Sequence, residues 1–253
     1  MQMVLLTALG VGGATVVGAL LGFAFKKVSH KFSDIVLAFA AGVMLAAAVM
    51  GLILPSLRHS RGGFALPVTI LGVFAGAVCI SLVDRLVPHL HRLAGVDQEH
   101  HPDGTERLNQ VLLFVVAIAI HNLPEGIAAG VGFGTDNMAE AFTIAGGIAL
   151  QNIPEGMVII APMLAAGMSR RSTFLCALAT GLVEVAGTLL GYFAVSVASV
   201  ILPFALAFAG GTMLYVISDE MIPETHSHGC ERGATYALLA GFCLMLATDH
   251  LLG

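Results

Sequence analysis

Two six-residue phrases, HNLPEG at 121–126 and QNIPEG at 151–156, place a His or Gln, an Asn, a Pro and a Glu in the same order. Both lie inside apolar stretches. Imidazole nitrogen with carboxylate and amide oxygen suits borderline divalent ions such as Zn²⁺, Fe²⁺, Mn²⁺ or Cd²⁺, and the lack of a thiolate argues against Cu(I). A third acid, Glu184, lies in another apolar run. An ionised acid at the centre of a membrane helix costs about 2.5–3.5 kcal/mol on insertion scales. No Lys or Arg occurs between Arg107 and Arg170, nor between Arg171 and Arg232, to offset that cost. Protons would account for the three acids alone. A bound cation accounts for all seven residues of the set: His121, Asn122, Glu125, Gln151, Asn152, Glu155 and Glu184.

Helical spacing strengthens that reading. With His121 as zero on a wheel of about 100° per residue, Glu125 falls near 40° and Asn122 near 100°. The Gln151, Glu155 and Asn152 set repeats those angles, so each helix offers three polar groups on one face. Pro124 cannot donate to the carbonyl of Ile120, nor Pro154 to that of Leu150. A freed carbonyl is tolerable in a membrane where it faces protein, water or an ion. Glu184 shares a stripe with the small residues Ala177, Thr180, Gly181, Thr188 and Gly191. That stripe lets a neighbouring helix approach closely.

The elements that must position these groups follow from composition. The 253 residues are 57% hydrophobic and 11% charged, with mean hydropathy +0.93, against roughly 25% charged in an ordinary soluble domain. Such a chain needs lipid around it. The fold class is all-α: a single polytopic transmembrane domain over 1–253. Eight spans are predicted at about 4–25, 34–56, 64–87, 108–132, 139–167, 172–198, 201–222 and 233–252. His121, Gln151 and Glu184 then fall about twelve or thirteen residues into their helices, roughly 18–20 Å from an end and near the bilayer midplane. The first apolar run lacks a positive n-region and reads as a span, not a signal peptide. Nine of the eleven Lys and Arg lie in odd-numbered connections, the even ones holding only Arg58 and Arg61. By the positive-inside rule the odd connections are cytoplasmic and both termini face outward, in a plasma or bacterial inner membrane. The net charge of −5 and the absence of basic runs give no sign of nucleic acid. Cys79, Cys176, Cys230 and Cys243 show no CxxC spacing, and no disulfide framework is expected.

Away from the midplane, Asp219, Glu220 and Glu224 close the seventh helix at the cytoplasmic side, with Pro223 ending it and His226 and His228 beyond. They form a candidate exit for an ion. Cys230 reads as packing. The third connection, about 88–107, carries His89, His91, His100 and His101 among Pro, Gly and charged residues, and suits loose metal capture on a tether. Asp84 reads as a partner for Arg85 or Arg58. Asp136 and Asn137 read as a turn and N-cap, and Asp249 and His250 end the chain on the same outward side.

A carrier must release what it binds, which exchangeable oxygen and imidazole ligands permit. No GxxxxGK[ST] loop is present, so ATP is not the driver, and alternating access to a midplane site is the general route. The rivals are a metal exporter, which ligand chemistry alone does not exclude, and an intramembrane zinc metalloprotease. The protease would want HExxH, whereas Asn122 follows His121 here.

HNLPEG and QNIPEG resemble the signature of the ZIP (Zrt/Irt-like) family of divalent-metal transporters, in its bacterial GufA-like branch. Glu184, the stretch SDEMIPETH at 218–226, the eight spans and the His-bearing third connection extend the resemblance over nearly the whole chain. It implies metal uptake into the cytoplasm, with zinc, iron, manganese or cadmium as transported substrate and no catalytic cofactor. It also implies a two-metal centre, with His121, Glu125, Gln151, Glu155 and Glu184 at one site and Asn122 and Asn152 sharing the glutamates at its neighbour. An inverted repeat of helices 1–3 and 6–8 around helices 4–5, elevator-like sliding and a homodimer are further implications. The resemblance implies relatives with Asp where this chain has Asn152 and with His where it has Asp219. Three glutamates supply too little charge for two divalent ions, so the second site is expected to be the weaker.

Overall fold

The computed structural model describes residues 1–24, 29–60, 62–86, 104–135 and 137–252. Among these residues eight long helices follow one another: α1 Gln2–Ala24, α2 His30–His59, α3 Ala65–Leu86, α4 Gly104–Gly132, α5 Met138–Ala165, α6 Arg170–Val197, α7 Leu202–Thr225 and α8 Glu231–Leu252. Among the described residues seven of these helices are long and apolar enough to cross a bilayer, and α4 runs for 29 residues. The protein is a multi-pass, all-helical membrane protein.

Local chemistry explains where the helices start. The Ser29 side chain accepts from the Phe32 amide, Asn137 from Ala139 and Glu140, and Ser169 from Ser172, each satisfying an orphan donor of a first turn. The first of these caps moves the start of α2 to His30, four residues before the expected boundary. Gly167, at φ +84°, turns the chain between α5 and α6 where other residues would be strained.

The helices pair most extensively as α1 with α5, α4 with α6, α3 with α7 and α2 with α8; α1 also packs on α6. Glycine sets the closeness of the first two pairs. A methyl on Gly156, the Gly of QNIPEG, would overlap the carbonyl of Thr15 in α1, and one on Gly126, the Gly of HNLPEG, would overlap the carbonyl of Glu184 in α6. Without a hydrophobic drive between helices in lipid, such contacts supply the attraction. Between the pairs, buried Met44, Leu52, Ile144, Ile148, Leu206 and Met213 form the apolar centre.

Prolines act in two ways. Pro124 and Pro154 sit within continuous α-helix. Pro55 and Pro223 instead follow widened π-helical stretches, Ala47–Ile53 in α2 and Ile217–Met221 in α7. There the Leu54 amide donates to Val49 and the Ile222 amide to Ile217, five residues back. Each proline lacks the N–H that would bond the residue four back, and its ring crowds that carbonyl. Pro223 therefore follows a widened turn of α7 rather than ending it, and the helix continues to Thr225.

Candidate metal centre

The two motifs face each other across α4 and α5, with α6 and α1 closing the set. Asn122, Glu125, Gln151, Asn152 and Glu184 are each at most 1% exposed, while His121 and Glu155 are half-buried. The three acids are close enough to repel: Glu125 feels Glu155 and Glu184, and Glu184 feels Glu155. His121 lies beside Glu155. Among the described residues no Lys or Arg pairs with any of the three.

Glu184 is the node of the arrangement. Its Oε1 accepts from Thr15 Oγ1 at 2.6 Å and from Asn122 Nδ2 at 2.5 Å, and its Oε2 accepts from Asn152 Nδ2 at 2.6 Å. The second proton of Asn152 goes to the Val11 carbonyl at 3.3 Å. A carboxylate accepts only, so the end of each amide facing it is the NH₂. The carbonyl oxygens Asn122 Oδ1 and Asn152 Oδ1 are left buried without a partner. So are Glu125 Oε2 and both ends of the Gln151 amide, although Gln151 lies beside Glu125. Buried polar atoms are rarely left in this condition, because each costs roughly 1–3 kcal/mol. Of the five such atoms in the two motifs, four are oxygens.

Of the seven residues expected to surround an ion, Asn122, Asn152 and Glu184 are joined by hydrogen bonds, with Glu125, Gln151 and Glu155 nearby and His121 bonded to Glu220. Among the described residues no three His, Cys, Asp or Glu side chains form a ready-made metal cluster. Two diversions explain this. Glu184 has its oxygens committed to hydroxyl and amide donors, and His121 turns its Nε2 to Glu220 Oε1 of α7, 2.9 Å away.

A family model described as "ZIP Zinc transporter" matches residues 88–249. The chain belongs to the ZIP zinc transporter family. It is 41% identical to zinc transporter GufA of Myxococcus xanthus over 98% of both chains. It is 38% identical to zinc transporter ZIPB of Bordetella bronchiseptica over 95% of this chain and 78% of that one. Against zinc transporter ZupT of Chlorobium chlorochromatii the identity is 35%, over 92% and 91% of the two chains. ZIP proteins are transporters and not enzymes, which removes the intramembrane protease reading.

In this ZIP chain the residues expected along a cytoplasmic exit are dispersed. Glu220 joins the His121 motif rather than the helix end. His226 is held locally, Nδ1 lying 2.8 Å from the Ile222 carbonyl and Nε2 3.3 Å from Thr235 Oγ1. His228 stands 3.0 Å from Asp34 Oδ1, with its ring stacked on His30. Asp219 and Glu224 are half-buried on α7. His89, His91, His100, His101 and Asp136 lie outside the described residues. Asn137 is the expected N-cap of α5. Sequence reasoning missed Thr15, Asp34 and His30. Thr15 sits in the small-residue run GVGGATVVGA, whose composition reports packing and carries no sign of a hydrogen bond to α6.

Proposed function

We propose that this ZIP protein carries zinc into the cytoplasm by alternating access to a cation centre midway along α4, α5 and α6. Fe²⁺, Mn²⁺ and Cd²⁺ fit the same donor chemistry and are the competing substrates. The ligands are drawn from His121, Asn122, Glu125, Gln151, Asn152, Glu155 and Glu184. One observation carries the reading: buried oxygens without donors, from Asn122, Asn152, Glu125 and Gln151, stand beside three acids that have no basic partner among the described residues. A divalent ion supplies what both lack. For it to bind, His121 leaves Glu220 and turns inward, which gives α7 a part in loading or release.

The inverted relation of helices 1–3 and 6–8 has support in the pairing. Under it α1 on α5 corresponds to α6 on α4, and α3 on α7 to α8 on α2. The widened turns before Pro55 and Pro223 also correspond. The group α1, α4, α5 and α6, tied through Glu184, is the unit that moves. The odd connections, rich in Lys and Arg, face the cytoplasm, and the 88–107 segment with its four His captures metal there. Asp219, Glu224, His226 and His228 flank the path on that side.

Zinc uptake into sealed vesicles, with competing metals, tests this. Glu155→Ala and His121→Ala should each remove most uptake. Retained uptake in both would dismiss the centre.

A further inference from the structure

Thr15 of α1 belongs to none of the motifs, yet it packs against one of them and bonds Glu184, which an Asn of each motif also reaches. Its backbone carbonyl is the surface on which Gly156 of QNIPEG is seated. Its hydroxyl, 2% exposed as a residue, donates to Glu184 Oε1 at 2.6 Å. That same oxygen accepts from Asn122, and the other carboxylate oxygen accepts from Asn152. The three donors come from three different helices, and none is basic.

We infer that Thr15 is a positioning residue of the cation centre: acting through Glu184, its hydroxyl fixes the direction in which Asn122 and Asn152 present their free carbonyl oxygens. The steps are local. A Glu side chain has three rotatable bonds, and Asn122 and Asn152 alone hold this carboxylate from the α4–α5 side. Thr15 holds it from the α1 side and so pins its rotamer. With the carboxylate pinned, each amide must turn its NH₂ toward it, and the unpartnered Oδ1 atoms then have a set orientation. Without the hydroxyl, Glu184 swings toward the amides and the two Oδ1 atoms lose their register. Zinc is bound at about 2.0–2.2 Å by oxygen and nitrogen, so it is sensitive to misplacement of that kind.

This inference rests on the proposed cation centre, and the test separates the two. The full chain in lipid nanodiscs is titrated with Co²⁺, read by its visible absorption, and then with Zn²⁺ in displacement. Thr15→Val keeps the shape and removes the hydroxyl; Thr15→Ser restores the hydroxyl; Glu155→Ala controls for the centre itself. Thr15→Val is expected to weaken zinc binding about tenfold, the scale of one lost hydrogen bond to a charged group, and to shift the Co²⁺ spectrum. Thr15→Ser should stay within about twofold of wild type with an unchanged spectrum, and Glu155→Ala should lose binding. Should Thr15→Val not fold, Thr15→Cys, a weak donor of similar size, takes its place with a smaller change of the same sign.

Wild-type affinity and spectrum in Thr15→Val, with binding lost in Glu155→Ala, overturns the role of Thr15 and leaves the centre standing. Weakened binding that Ser does not rescue, with an unchanged spectrum, marks a packing effect and also overturns it. Wild-type binding in Glu155→Ala removes the centre, and the role of Thr15 with it.

Discussion

Replacing Glu184 by Gln is the most informative single change, because it keeps the shape of the node while altering its charge and its hydrogen-bonding character. The carboxylate accepts from Thr15, Asn122 and Asn152. A Gln has one acceptor end and one donor end, so one neighbouring amide must turn its oxygen inward to meet the new NH₂. If Asn152 turns, its Oδ1 is no longer free for a cation. Three charge-assisted bonds become neutral, a difference of about 1 kcal/mol each. Measured polar contacts between membrane helices average about 0.6 kcal/mol, which sets the lower end. The expected loss is therefore roughly 2–3 kcal/mol, or about 5–10 °C in the midpoint of a chain this size. Thermal loss of the monodisperse species in detergent measures that term, and zinc titration measures the other. Binding should fall further than stability, since one negative charge and one free oxygen disappear together. A Glu184→Gln protein that melts within a degree of wild type and binds zinc unchanged would refute the assignment of Glu184 as the node.

Three further outcomes follow from geometry. Gly156→Ala sets a methyl against the Thr15 carbonyl, and should cost about 1–3 kcal/mol by overpacking and lower zinc uptake. Gly146→Ala on the same helix meets open space, so it should be neutral or gain up to about 1 kcal/mol; equal effects at both positions would discard the close-approach argument. Asn137→Ala removes the cap of α5, and should cost about 1 kcal/mol in a thermal melt while leaving zinc affinity intact.

The helices and the motifs were open to sequence reasoning because both are local. Apolar runs of about twenty residues mark a span wherever it packs, and the spacing of His121 and Glu125 fixes a shared helix face. Burial of the stripe from Ala177 to Gly191 was likewise legible, since small residues at helical spacing announce close approach. What stayed hidden depends on partners distant in sequence. Thr15 and Glu184 are 169 residues apart, and nothing in either segment names the other. Glu220 reads as part of a polar helix end until α7 is seen to bring it to His121. Pro223 reads as a stop because a proline breaks the usual bond pattern; whether the helix ends or widens is decided by what packs beyond it.

The backbone-to-backbone seating of Gly126 and Gly156 implies an unusual pattern of mutational tolerance. In a water-soluble globule the bulky interior residues are the ones a random change damages most. In a saturation library of this chain the most vulnerable positions would instead be those with no side chain to lose. Large aliphatic residues on the perimeter, such as Leu20, Leu71 and Leu190, would exchange freely among oily alternatives.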